Sequence, residues 1–158
     1  MNPYAVPRAV LEDPLPGGRM TAVLVGAAVG HGVSYAVLFV SRLVFLWILV
    51  AQGVPTQGLY ARVYESMPYL VYAHALGFLC LVPGGYWSAR FSSTSPVRSA
   101  LLSGGLVAAF ALLSNLMPYE LPTPLWSRIV SAASPVPAFW LGALWWQGVA
   151  NSRARSGS

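Results

Sequence analysis

The sequence predicts an all-α membrane protein, an antiparallel bundle of four transmembrane helices with both termini on the cytoplasmic side. Three observations predict it. Of 158 residues, 56% are hydrophobic and only 8% charged, against about 45–50% and about 25% in soluble domains. So few charges cannot coat a water-facing surface. The apolar residues form four runs of span length, and most arginines fall between or beyond those runs.

Each element follows in order. Residues 1–19 form a leader rich in proline and glycine, with Glu12 and Asp13 where the apolar core of a cleavable signal peptide would begin. It reads as a disordered cytoplasmic segment. A transmembrane domain covers residues 20–150, where each crossing of about 30 Å of hydrocarbon needs about 20 helical residues. The first span, residues 20–50, holds one charge, Arg42. At about 45 Å it must tilt or project its outer end, residues 43–50, beyond the bilayer, and Gly53 and Pro55 then end it.

The second span covers residues 68–89, and Pro83-Gly84-Gly85 is expected to loosen or end its helix near the cytoplasmic side. The third covers residues 97–117, after the breaker cluster 92–96 and before Pro118. The fourth, residues 125–150, follows Pro122 and Pro124, and Pro135 and Pro137 predict a kink near its middle. Residues 151–158 make a cytoplasmic tail.

All nine basic residues are arginines. Arg8, Arg19, Arg90, Arg98, Arg153 and Arg155 fall on the side of the termini, and Arg42, Arg62 and Arg128 on the other. That asymmetry places both ends in the cytoplasm. The net charge of +5 is thus topogenic, and with no basic cluster no nucleic-acid partner is expected. Tyr69, Tyr72, Tyr86, Trp87, Tyr119, Trp126, Trp145 and Trp146 collect at the rims as interfacial belts do.

Small residues mark the packing seams. Gly26 and Gly30 form a Gly-x-x-x-Gly pair on the first span, Gly104 and Ala108 lead a stripe on the third, and Ser127, Ser131, Ser134, Ala138 and Gly142 make one on the fourth. A second line on the first span is polar, with His31, Tyr35 and Arg42 at helical spacing and Ser34 alongside. Such groups should face the bundle interior or a wet cavity, so His31, Ser34, Tyr35, Arg42, His74 and Asn115 are the candidate polar cavity. Glu65 and Glu120 are the expected counter-charges for Arg42, with Arg128 as competitor. The bland alternative is that these groups bond across helices or reach to the interface.

Chemistry is constrained by what is missing. The sequence has no His-Glu-x-x-His, no intramembrane aspartate pair, no Cys-x-x-Cys and no acidic cluster for magnesium. Cys80 stands alone in an apolar run, as a small packing residue does. No enzyme is expected. His31 and His74 fall at similar depths, which leaves bis-histidine ligation of haem or metal open, but no carboxylate stands at helical spacing to orient either ring. No cofactor or metal is expected.

The start, Asn2-Pro3-Tyr4-Ala5-Val6-Pro7-Arg8-Ala9 followed by Glu12-Asp13, resembles the leader of uncharacterised proteobacterial inner-membrane proteins with several spans. The resemblance is confined to that leader and implies a bacterial inner-membrane location without an activity. Some proteins with such a leader belong to the family named for an arginine and two aspartates in its spans. This chain has no aspartate in its spans, and that membership is not carried over.

The function expected from the sequence is that of a non-catalytic accessory, assembly or immunity-type subunit that binds another membrane protein or a second copy of itself in the lipid bilayer. Tyr60, Arg62, Tyr64 and Glu65, on the first outer loop, are the expected contact surface. The rival readings are a small oligomeric transporter or channel using the His31 to Arg42 line, and a haem- or quinone-binding redox subunit.

Overall fold

The computed structural model describes residues 18–93, 95–116 and 123–156, with no side-chain description for Thr94 or residues 154–156. The leader up to residue 17, with Arg8, and the loop carrying Tyr119 and Glu120 lie outside the described residues. Six helices follow one another: α1 Arg19–Ala51, α2 Leu59–Glu65, α3 Met67–Phe91, α4 Pro96–Leu116, α5 Leu125–Ala133 and α6 Pro135–Ser156. Among the described residues there is no strand. Four stretches are long and apolar enough to cross a membrane, namely α1, α3, α4 and the combined run Leu125–Arg153. The chain is a helical bundle built for lipid.

α1 and α6 stand on opposite sides of the bundle, each packed on both α3 and α4. Between them the Phe139 ring of α6 crosses the centre to reach Gly30 of α1. Phe139 is fully buried, and it shares its cluster with Ala27, Leu81, Val107 and Ala138. α1 is the most lipid-exposed span, with 6% of its most apolar window buried against 28% in the other three.

One proline and two glycines depart from the expected punctuation. The α3 helix runs unbroken through Pro83-Gly84-Gly85 to Phe91, where the sequence predicted loosening. Pro83 removes one donor, the one due to the Leu79 carbonyl, and in lipid the surrounding backbone bonds have no water to compete with them. The glycines serve proximity instead. A Cβ on Gly84 would lie 2.7 Å from the Gly26 carbonyl oxygen and the Gly30 Cα, and one on Gly85 would lie 2.6 Å from the Phe139 Cα. Glycine is required there because helix backbones touch.

The far end of α1 is covered: Leu46 packs with Leu59 and Val63 of α2 and Tyr69 of α3, flanked by Phe45 and Leu49. Gly53, at φ +81°, turns the chain out of α1, and Gly58, at φ +77°, turns it into α2. Both glycines sit where a left-handed backbone is needed. The short amphipathic α2 is thereby folded back as a cap.

The predicted kink in the fourth span is a one-residue interruption at Ser134. Pro135 and Pro137 withhold the donors due to the Ser131 and Ala133 carbonyls. Helical bonds on either side survive, from the Ser134 N–H to the Val130 carbonyl at 2.9 Å and from the Ala138 N–H to the Ser134 carbonyl at 3.2 Å. The segment after Ala150, predicted as a tail, continues helical to Ser156.

Candidate functional site, a polar cavity between the spans

The bundle has a closed half at the end where α1 begins and an open half at the end bearing α2. In the closed half the Ser103 hydroxyl donates to the Val23 carbonyl at 3.0 Å and shares a 2.8 Å hydrogen bond with Ser88, tying α1, α3 and α4 together. Above Phe139 the helices separate. α1, α3, α4 and α5 surround a cavity of about 350 Å³.

The cavity has a floor, walls and a mouth, whose order follows from the antiparallel helices and a rise of about 1.5 Å per residue. Its floor is apolar, made by Phe78, Leu81, Val107 and Pro135. Its walls carry His31 and Ser34 from α1, His74 from α3, Asn115 from α4, and Ser127 and Ser131 from α5. Arg42, Tyr64 and Tyr69 form the mouth. Arg42 stands about 16 Å along α1 from His31.

Most wall groups are turned on one another. His74 Nε2 and the Ser127 hydroxyl share a hydrogen bond of 2.8 Å, joining α3 to α5, while the Trp126 ring meets the His74 ring edge to face at 5.5 Å. Asn115 Nδ2 donates to the Arg128 carbonyl at 3.2 Å and to the Ser131 hydroxyl at 3.3 Å, and that hydroxyl donates to the same carbonyl at 2.8 Å. His31 meets Phe110 edge to face at 5.2 Å.

Arg42 is different. Its guanidinium lies 5.4 Å from the centre of the Tyr64 ring, within cation–π range. Its Nε is buried and has no hydrogen-bond partner, and it has no ion pair with Glu65, the expected counter-charge within the described residues. Glu120, the other one, lies outside them.

Of the residues expected to form a cavity, the structure brings together His31, Ser34, Arg42, His74 and Asn115 and leaves out Tyr35. Tyr35 is 67% exposed and stacks on Phe39. At 100° per residue it stands about 40° from His31 on the side away from Ser34, enough to turn its ring out of the bundle.

The expected partner surface also divides. Tyr60, Arg62 and Glu65 are exposed, but Tyr64 forms part of the cavity mouth because Leu59 and Val63 fix which face of α2 turns inward. Among the expected packing residues, Gly26, Gly30, Gly104 and Gly142 all sit where a Cβ would crowd a neighbouring helix, Ala138 is fully buried and Ala108 half-buried. Ser131 instead lines the cavity. Sequence reasoning missed Ser127 and Ser134 as cavity walls, reading them as part of the small-residue stripe. Their hydroxyls were the overlooked signal.

The Ser127–His74 distance is that of a nucleophile and its base. Ser127 is only 4% exposed, however, and no described acceptor holds the second nitrogen of His74. The Asn115 amide is bonded to the Arg128 carbonyl and the Ser131 hydroxyl. The Ser127–His74 bond links α5 to α3. His31 and His74 share the cavity, and among the described residues no three histidine, cysteine, aspartate or glutamate side chains come together.

No protein-family model, curated protein or solved structure matches the chain.

Proposed function

We propose that this chain is a non-catalytic protein of a bacterial inner membrane, with both termini cytoplasmic, that acts as an accessory or assembly subunit by holding another membrane component in its cavity. The cavity of about 350 Å³ inside the spans carries this reading. Polar and ionisable groups at membrane depth are costly and gather around pathways or bound groups. A bundle selected for stability alone could close this half with glycine and serine, as it closes the other.

The test is purification of the full chain in native nanodiscs, followed by mass spectrometry of what accompanies it. A component retained by the wild type and lost by Ser34→Leu, with equal yield of folded protein, is the expected result. Identical contents in the two preparations would end the proposal.

One observation favours transport as a second reading. The fourth span is interrupted at Ser134, and Ser134 and Pro135 both border the cavity, an arrangement in keeping with the discontinuous helices of carriers. Transport predicts loss of a solute or ion flux in His31→Ala or Arg42→Ala at normal expression. Unchanged flux in both variants removes it.

A further inference from the structure

Resting on the cavity reading above, we infer that the component held there is an amphiphile with an oxyanionic head, a phosphate or a carboxylate. The oxyanion is seated on Arg42 and the apolar part extends toward Phe78, Leu81 and Val107. Charge is the first argument. Among the described residues, Arg42 is the one arginine that borders the cavity, and no aspartate or glutamate borders it. Its Nε is buried without an acceptor, and its guanidinium lies over the π-surface of Tyr64. A cation–π contact offers no lone pair to the guanidinium N–H groups, so this cation at the mouth suits a ligand that brings its own oxygens. Guanidinium and oxyanion pair through two parallel charge-assisted bonds.

Depth is the second argument. Arg42 is about 34 Å along α1 from Arg19, beyond about 30 Å of hydrocarbon, which sets it at the level of lipid headgroups. The floor lies about 18 Å deeper, the rise of α3 from Tyr69 to Leu81. A small soluble anion would occupy the mouth and leave that depth unfilled. The third argument is the state of the walls between mouth and floor. His74 is bonded to Ser127, and Asn115 to Arg128 and Ser131, so an apolar chain can pass without stripping those groups of their partners. His31 and Ser34, about 16 and 12 Å along α1 from Arg42, border the deeper part of the cavity, beside the apolar chain.

The inference is tested with the full chain in dodecyl maltoside, titrated separately with dodecyl phosphate, dodecanol and inorganic phosphate, and read by the shift in thermal unfolding. Dodecyl phosphate is expected to bind about tenfold or more tightly than dodecanol, the yield of one charge-assisted pair. That preference should shrink with added salt. Arg42→Gln is expected to erase it while leaving dodecanol binding intact, and Arg42→Lys to keep only part of it.

Equal binding of the two amphiphiles by the wild type, or a preference that survives in Arg42→Gln, overturns the inference. Should Arg42→Gln not be recovered folded, the salt dependence of the wild-type preference decides. Inorganic phosphate protecting as strongly as dodecyl phosphate overturns the apolar half of the assignment. If dodecanol binds and the anion adds nothing, the cavity stands and the Arg42 assignment falls. If no probe binds and Ser34→Leu matches the wild type in nanodiscs, the cavity reading itself has failed.

Discussion

The two halves of the bundle use the same spans and differ in what those spans place between them. At the end where α1 begins, Gly26, Gly30, Gly84, Gly85, Gly104 and Gly142 let the backbones meet around one ring, Phe139. At the α2 end the facing positions hold His31, Arg42, Tyr69, His74, Phe110 and Asn115, and the spans part around a cavity. Lipid supplies no hydrophobic force to drive helices together, so separation is set by side-chain size and by interhelical bonds. The closed half shows what minimal side chains achieve, and the open half shows that bulk and polarity at the same seams hold space.

The largest break in that contrast should come from Phe139. It is fully buried where α6 reaches α1, and truncation leaves a hole that rigid glycine-faced helices cannot collapse into. Phe139→Ala is expected to cost about 3–5 kcal/mol, measured by reversible unfolding in mixed micelles. A loss below about 1 kcal/mol would mean that the closed half is not held by its central ring.

A paired substitution sharpens the comparison at smaller cost. Gly85→Ala drives a Cβ against the backbone of Phe139, 2.6 Å from its Cα, whereas Gly77→Ala meets the tip of Leu38 at 3.4 Å and the Ser34 hydroxyl at 3.8 Å, ordinary van der Waals contacts beside the cavity. The first should cost about 1–3 kcal/mol and the second less than about 0.5 kcal/mol. Equal losses would show that both halves are packed alike, and the distinction between them would go.

Much of this was legible in the sequence, for identifiable reasons. Four apolar runs with few charges dictate four helices, since a backbone in lipid must satisfy its own bonds. The Gly26–Gly30 pair and the polar line through His31 and Arg42 follow from the 3.6-residue period. Two features were not legible. Pro83-Gly84-Gly85 carries the composition of a breaker, and only the position of α1 and α6 against it makes those glycines contact points. The serines of α5 share the spacing of a packing seam. Whether that seam closes depends on the bulk opposite, His74 and Asn115, which lie on other helices.

The smallest expected effect tests how sharply the cavity is bounded. Sequence periodicity sets Tyr35 beside His31, yet the ring is turned outward onto Phe39, while Ser34, one residue earlier, borders the cavity. Tyr35→Ala is therefore expected to change stability by no more than about 0.5 kcal/mol and to leave amphiphile binding unaltered. Ser34→Leu, which adds only a side chain of similar reach on the neighbouring face, should abolish that binding. Thermal-shift titration of both variants with dodecyl phosphate makes the comparison directly. If Tyr35→Ala weakens binding as much as Ser34→Leu does, the ligand lies along the lipid-facing side of α1, and the open half of the bundle is a surface groove instead of an interior site.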